Sequence, residues 1–307
     1  MHHYRQYLVN PWKLIRVLGA LGYMNWIPDR LFLQLMYRAE FGIKLDLDNP
    51  KRFNEKIQWL KLYDRRPIYS DLVDKYKVRN YVKEKIGSEY LVPLLGVWEN
   101  PEEIAFDSLP EKFVLKCNHD SGTVVICKDK SKLDIHKTVE YLKKRCSNNF
   151  YWGGREWPYK NVKPKVICEQ YLENTDMHGL IDYKIYCFDG NPKLMMIATD
   201  RFTGKETHFD FFDQDFKWLD LEWEVHRSEV PPKKPNRFDE MMKIAKKLSV
   251  DIPQVRVDLY EVNDKIYFGE MTFYDGSGMQ KITPDKWDYI LGSWINLPQK
   301  ESKKCAY

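Results

Sequence analysis

No Cys-x-x-Cys pair occurs among the six cysteines of this 307-residue chain, which stand at 117, 127, 146, 168, 187 and 305. That excludes the usual zinc-ribbon and dithiol redox patterns. Four of the six close apolar runs (FVLKC, TVVIC, KVIC and KIYC). Small, buried, reduced thiols are expected there, and with them a cytoplasmic setting. A cleavable apolar leader is also missing from the polar, aromatic N-terminus, so no signal peptide is predicted. No apolar run reaches the roughly 20 residues of a membrane span. The nearest approach, residues 12–37, is interrupted by Lys13, Arg16, Pro28, Asp29 and Arg30. It reads as two amphipathic helices broken at Pro28, docked on the protein or resting peripherally at the inner face of a membrane. Long Lys/Arg runs are absent outside the C-terminal tail, and 49 Lys plus Arg against 45 Asp plus Glu leave a net charge of only +4. Nucleic acid is therefore not an expected partner. No Ser/His/Asp or Cys/His arrangement offers a covalent nucleophile. The one Asp-x-Asp, Asp213-Gln214-Asp215, reads as a hairpin turn rather than a glycosyltransferase metal motif.

What is present argues for a folded core. Hydrophobic residues make up 43% of the chain, charged residues 31% and aromatics 15%, which excludes a disordered or collagen-like polymer. Residues 1–50 read as helical and end at DLDNP. In the next stretch, apolar residues recur at helical spacing through Phe53, Ile57, Leu60, Leu72, Tyr76, Val82 and Ile86. Pro67 should divide that stretch into two helices, and Gly87 should close the second. From about Leu91 the pattern changes to short apolar runs with turns between them: LVPLLGVW, FVLKCN and GTVVICKD. A helix (LDIHKTVEYLKKRC) and an aromatic loop (FYWGGREWPYK) follow. Strands resume at KVICEQYL, DYKIYCFDG, PKLMMIATD and HFDFFD. A final helix, FDEMMKIAKKLS, precedes two strands, VRVDLYEV and KIYFGEMTF, joined at Asn263-Asp264. Antiparallel hairpins mixed with a few helices predict an α+β fold without repeats.

Three clusters could carry chemistry. The first runs from Lys116 through Asn118, His119, Asp120, Ser121 and Gly122 to Thr123, between two strands. Such a loop can fold over phosphates with backbone N–H groups and the lysine facing the anion, although many hairpins carry Ser-Gly without function. In the second, Arg256 and Asp258 share one strand face, as do Glu270 and Thr272 on the next strand. If these strands pair, all four meet on one surface. Carboxylates inside apolar runs call for a cation, and two of them without His or Cys suit Mg²⁺ held partly by phosphate oxygens. The third is Glu169-Gln170-Tyr171-Leu172 followed by Asp182 and Lys184. Backbone groups at the end of this strand could read an adenine edge, with Glu169 accepting from the amine, but a salt-bridged surface strand would look the same. The aromatic loop, with Tyr151, Trp152, Trp157 and Tyr159, fits a sugar-stacking platform as well as it fits a satellite hydrophobic cluster.

The order of these pieces resembles the ATP-grasp superfamily. FNEKIQWLKLYDRRPIYSDLVDKYKVRNYV, the DYK strand and RVDLYEV…IYFGEMTF look like its TupA-like family, named for teichuronopeptide biosynthesis and found in polysaccharide gene clusters. The likeness covers roughly residues 50–297. It implies an ATP-grasp fold of two α+β subdomains clasping ATP. The segments would be N-terminal helices (1–50), a helical lead-in (51–92), a small subdomain with the phosphate lid (93–168), a C-terminal subdomain with the metal site (169–298) and a flexible tail (299–307). By the same resemblance Lys75 and Lys116 contact ATP phosphates, and residues 118–123 close over them. Glu169 and the backbone of Gln170 to Leu172 meet adenine. Asp182 meets the ribose, and Lys184 lies near the phosphates. Arg256 steadies an acyl-phosphate, and Asp258 and Glu270 ligate Mg²⁺. Many members carry Asn where this chain has Thr272, so water would complete the metal shell there if the threonine does not. The implied activity is an ADP-forming carboxylate–amine ligase. Its substrates would be a uronic-acid-containing saccharide and an amino acid or amine, in capsular or teichuronic-type polysaccharide synthesis. A sugar or glycolipid kinase and a non-catalytic nucleotide-binding subunit are the alternatives.

Overall fold

The computed structural model describes residues 15, 18, 19, 21–173, 181–199 and 207–299. Most of the first expected N-terminal helix and most of the tail, with Cys305, lie outside the described residues. The fold is α+β, built on two antiparallel sheets. The larger has strand order β10-β9-β5-β6-β7, formed by Lys265–Thr272, Gln254–Val262, Asp182–Phe188, Asn191–Thr199 and His208–Asp213. The smaller has order β1-β4-β2-β3, formed by Leu94–Trp98, Val166–Gln170, Phe113–Cys117 and Val124–Cys127. A two-stranded ribbon pairs β8 (Glu222–Trp223) with β11 (Ile282–Thr283).

Alternation explains how the large sheet divides its faces. Along β9, Val255, Val257 and Leu259 are fully buried in the main core, which leaves Arg256, Asp258 and Tyr260 on the opposite face. The helix Phe238–Leu248 packs against β5, β6 and β9. It buries Phe238, Met241, Ile244, Ala245 and Leu248 at helical spacing, with Asp239 and Glu240 at its start and Lys246 and Lys247 at its end, as the helix dipole favours. The same core takes in the helices Asp29–Phe41, which begins directly after Pro28, and Phe53–Tyr63. The small sheet owns a separate cluster around Phe113, Leu115, Leu142, Val166 and Cys168. It is covered by the helix Ile135–Cys146, whose N-terminus is capped by the Asp134 carboxylate accepting the Lys137 N–H at 3.0 Å.

The helix expected between Pro67 and Gly87 is two helices, Ile68–Val73 and Val78–Lys85. The break follows from Asp74, whose carboxylate accepts the N–H groups of Tyr76 (2.9 Å) and Lys77 (3.2 Å) and so competes with helix continuation. Lys75 N–H is thereby free to donate to Asn118 O at 3.0 Å, which ties this break to the small sheet. Gly87 does close the second helix, with φ +112 and its N–H on Val82 O. Asp213 accepts the N–H groups of Asp215 and Lys217, so Asp213-Gln214-Asp215 is a hairpin turn. The five described cysteines are free thiols, and Cys117 and Cys146 lie with their Sγ atoms 3.7 Å apart. No helix among the described residues is long and apolar enough to cross a membrane.

Candidate functional site

The site is made by strand register. β5 and β9 pair Lys184 with Asp258 and Tyr186 with Arg256, and β10 and β9 pair Glu270 with Asp258 and Thr272 with Arg256. Directly opposed residues share a face. Lys184, Arg256, Asp258, Glu270 and Thr272 therefore meet on three adjacent strands. The last two owe their place to a bulge. Asn263 and Asp264 both take positive φ, +50 and +59, as a two-residue type I′ hairpin turn requires. That turn starts a register of Val262 with Lys265 that runs to Leu259 with Phe268. Continued without interruption, it would set Glu270 opposite Val257, on the core face. The shift between Phe268 and Glu270 moves the pairing by one residue and turns Glu270 toward Asp258. Gly269 occupies the bulge, where a Cβ would stand 3.0 Å from the Tyr260 ring and 3.1 Å from Asp258 O.

The gathered side chains are paired with one another. Arg256 donates from Nε to Asp258 Oδ1 (2.7 Å) and from Nη2 to Asp258 Oδ2 (2.8 Å) and Thr272 Oγ1 (3.1 Å). Its Nη1 donates to Asp275, which also accepts the Tyr186 hydroxyl. Lys184 Nζ donates to Asp258 and pairs with Asp182 at 2.8 Å. Lys75 Nζ reaches Glu270 Oε2 at 3.4 Å and donates to Asp120 O. Three cations thus face four carboxylates, so the cluster is close to electroneutral. Burial pushes the Asp258 carboxyl upward, although Arg256 and Lys184 pull it down. Burial pushes Glu270 up as well, but Lys75, Arg256 and Lys184 together outweigh it and hold that carboxyl at about 2. The Arg256 guanidinium stays charged because Asp258 and Asp275 offset the cost of its burial.

The remaining candidates form two further groups. Glu169 accepts Lys116 Nζ at 2.7 Å and Arg79 Nη1 at 3.1 Å, and Arg79 Nη2 also donates to Val92 O. Gln170 is exposed, with its N–H on Pro93 O, and Tyr171 and Leu172 are half-buried. Tyr260 lies within electrostatic reach of Asp182, Glu270, Asp258 and Glu169, and so joins this group to the strand cluster. The loop 118–123 is pinned. Asn118 spends its side chain on the backbone of Lys163 and Lys165, and His119 Nε2 pairs with Asn148 O. Asp120 is buried against Thr123 and Arg145, and Arg145 also donates to Thr123 Oγ1 (2.6 Å) and Ser121 O (3.3 Å). Ser121 is exposed, and Gly122 has φ +88 with open space where a Cβ would be. The side chains of Asn118 and His119 are thus engaged with backbone groups, and the exposed Ser121 and backbone N–H groups are further donors in this loop.

Arg79, Arg145, Tyr186, Tyr260 and Asp275 were not among the sequence candidates. Tyr260 and Tyr186 had a usable signal, since they continue the alternations of Arg256 with Asp258 and of Asp182 with Lys184. The aromatic loop is largely inward. Tyr151 and Tyr159 are buried, and Tyr151, Trp152 and Phe32 surround the fully buried Arg155 guanidinium. Among the described residues no group of three or more His, Cys, Asp or Glu is arranged as a metal cage. Asp258 and Glu270 do offer an oxygen-only pair, which fits a hard cation whose other ligands are phosphate and water. A surface cleft of about 450 Å³, bordered by Asp64, Arg66, Asp189, Asp251 and Asn296, shares no residue with this site.

The two α+β sheet systems, with charged strand faces gathered between them, define the ATP-grasp class of fold. The family model described as TupA-like ATPgrasp matches residues 55–296, and the chain belongs to that family. Solved structures of similar fold include a D-alanine–D-alanine ligase from Bacillus anthracis complexed with ATP (14% identity, TM-score 0.38, 66% of this chain and 54% of that one). Others are a D-alanine–D-alanine ligase from Helicobacter pylori (16%, 0.43, 80% and 70%) and a D-cycloserine synthetase (15%, 0.40, 67% and 64%). The chain thus spans little more than half the length of the first of these. No curated protein sequence matches it.

Proposed function

We propose that the protein is an ATP- and Mg²⁺-dependent carboxylate–amine ligase that modifies a surface-polysaccharide precursor. One observation carries this reading: the register that sets Lys184, Asp258 and Glu270 side by side on three strands, with Lys75 closing onto Glu270. A nearly neutral cluster of internal ion pairs can exchange partners when a metal–nucleotide complex arrives. Lys75, Lys116 and Lys184 turn to phosphate oxygens, and Asp258 and Glu270, with Thr272 or water, would hold the metal. Mg²⁺ there supplies neutralisation of phosphate charge. Glu169 and the backbone of residues 170–172 take the adenine side, and Asp182 the ribose. The loop 118–123 covers the phosphates through its backbone.

In this reading a substrate carboxylate oxygen attacks the γ-phosphorus, and the bond to the β–γ bridging oxygen breaks to release ADP. Arg256 steadies the resulting acyl-phosphate. An amine then attacks the acyl carbon, phosphate departs, and the amine loses a proton to give the amide. Positioning and charge stabilisation do the catalytic work, with no side-chain nucleophile. The test is ADP release from Mg²⁺·ATP with pooled amino acids and nucleotide-linked uronic acids, followed by mass spectrometry. ADP formation that needs both pools, with a product one water lighter than its two parts, is expected. Glu270→Gln should abolish it while leaving the fold intact. Normal turnover by that variant would sink the metal assignment, and a product carrying an extra phosphate would make the protein a kinase.

A further inference from the structure

A fully buried lysine lies outside the cluster described above. Lys61, on the helix Phe53–Tyr63, is fully buried. Its Nζ has four acceptors within hydrogen-bond distance: Gln58 Oε1 (3.1 Å), Gly154 O (2.8 Å), Ser277 O (2.7 Å) and Ser277 Oγ (2.8 Å). An ammonium withdrawn from water costs several kcal/mol unless every proton is satisfied. Burial indeed pulls Lys61 down to about 8, even with Glu156 favouring its charge. A methionine would fill similar space without that cost, so packing alone does not explain a lysine here.

Two of the four acceptors lie on the short turn Asp275–Gly278, which Gln58 also reaches. Gly276, Ser277 and Gly278 carry φ of +53, +59 and +58 in succession. For Ser277 the left-handed conformation costs about 1–2 kcal/mol. The turn is held by the two Lys61 bonds to Ser277 and by Gln58 Nε2, which donates to Ser277 O (3.0 Å) and Gly278 O (2.8 Å). The first residue of that turn is Asp275, whose carboxylate fixes the outer edge of the Arg256 guanidinium.

We infer that Lys61 is a positioning residue for Arg256, acting through the left-handed turn that aims Asp275. The inference rests on the nucleotide reading only for its functional meaning; the mechanical link is independent of it. Lys61 holds Ser277, Ser277 sets the path of the turn, and the turn sets where Asp275 meets Arg256. A lysine serving only to glue the helix to the turn would leave Arg256 undisturbed when removed.

The experiment compares wild type, Lys61→Met, Asp275→Asn and the double variant, each labelled with ¹⁵N-arginine. Two quantities are read: the Arg256 Nε–H resonance without nucleotide, and the affinity for Mg²⁺·AMP-PNP by calorimetry. Lys61→Met should speed hydrogen exchange at 274–279 tenfold or more and shift or broaden the Arg256 signal as Asp275→Asn does. It should weaken nucleotide binding about tenfold, and the double variant should be no worse than the weaker single variant within about twofold. An unchanged Arg256 resonance in Lys61→Met, or multiplicative losses in the double variant, would overturn the inference. If wild type binds no Mg²⁺·AMP-PNP, the nucleotide reading fails, while the resonance still decides the link. Should Lys61→Met fail to fold, Gln58→Leu, which removes two of the turn's hydrogen bonds, carries the same test.

Discussion

The two sheets hold their charged groups by different means. On the large sheet, Lys184, Arg256, Asp258 and Glu270 are placed by backbone pairing, and the strands behind them bury Val255, Val257 and Leu259 completely. On the small sheet, the 118–123 loop is placed by side chains that arrive from elsewhere, chiefly Arg145 from a helix and Lys75 from the break between two helices. In strand β3 beyond that loop, Val124 and Ile126 are exposed. A ladder of backbone bonds over a packed core is rigid, whereas a loop hung on a few polar contacts can be released by exchanging them. The difference separates a half whose charges are placed by backbone register from a half whose loop is placed by side-chain contacts.

The sharpest way to break this contrast is Gly269→Val, which crowds out the bulge while keeping the length of the strand, because its Cβ would stand 3.0 Å from the Tyr260 ring and 3.1 Å from Asp258 O. The register would run on unbroken and carry Glu270 to the core face, where an unpaired carboxylate costs several kcal/mol. A large drop in melting temperature and loss of Mg²⁺·AMP-PNP binding are expected. Binding at wild-type strength would refute the register account. Next in size is Arg256→Met, which leaves Asp258 and Asp275 buried without their guanidinium. Urea unfolding should report a loss of about 3–5 kcal/mol, and a loss under 1 would mean that Lys184 alone suffices. Arg145→Met tests the other half. Because Arg145 is part-exposed and Asp120 buried, a loss of about 1–2 kcal/mol is expected, with faster hydrogen exchange confined to 118–123. Acceleration spreading into β5 and β9 would erase the distinction between the halves.

The last effect is one of pH. Burial pushes the Glu156 carboxyl up to about 7, from an ordinary 4.5, against the pull of Lys61. The folded protein then keeps a proton that the unfolded chain releases, so stability should fall as pH rises from about 4.5 to about 7. Glu156→Gln has no such proton to lose. Its stability should decline less over that interval, and parallel curves for the two proteins would count against a buried, proton-holding Glu156.

Much of this was readable in the sequence because strands advertise themselves by alternation. The runs FVLKC, DYKIYCF and VRVDLYEV all form strands, and Arg256 and Asp258 share a face as their spacing requires. Glu270 shows where such reading needs more care. The two-residue turn at Asn263-Asp264 by itself implies the wrong face, and only the lone glycine inside KIYFGEMTF hints at the bulge that corrects it. Arg79, Arg145 and Lys61 were illegible for another reason. Each lies on a helix where a charge ordinarily meets water, and each is recruited by a partner 90, 25 or 216 residues away. The helix break at Asp74 was hidden because its cause, a side chain capping the next turn, leaves the apolar spacing intact.

The bulge has one more consequence, for how this hairpin can vary in length. While the bulge is kept, every residue added or lost between Asn263 and Glu270 reverses the side on which Glu270 emerges, and a second such change restores it. The segment behaves as a parity check: odd changes of length are rejected while the bulge stays, and paired ones pass with the carboxylate on the same face, opposite Arg256 or Tyr260. Natural or engineered variation in this hairpin should therefore come in twos, or as single insertions matched by loss of the bulge.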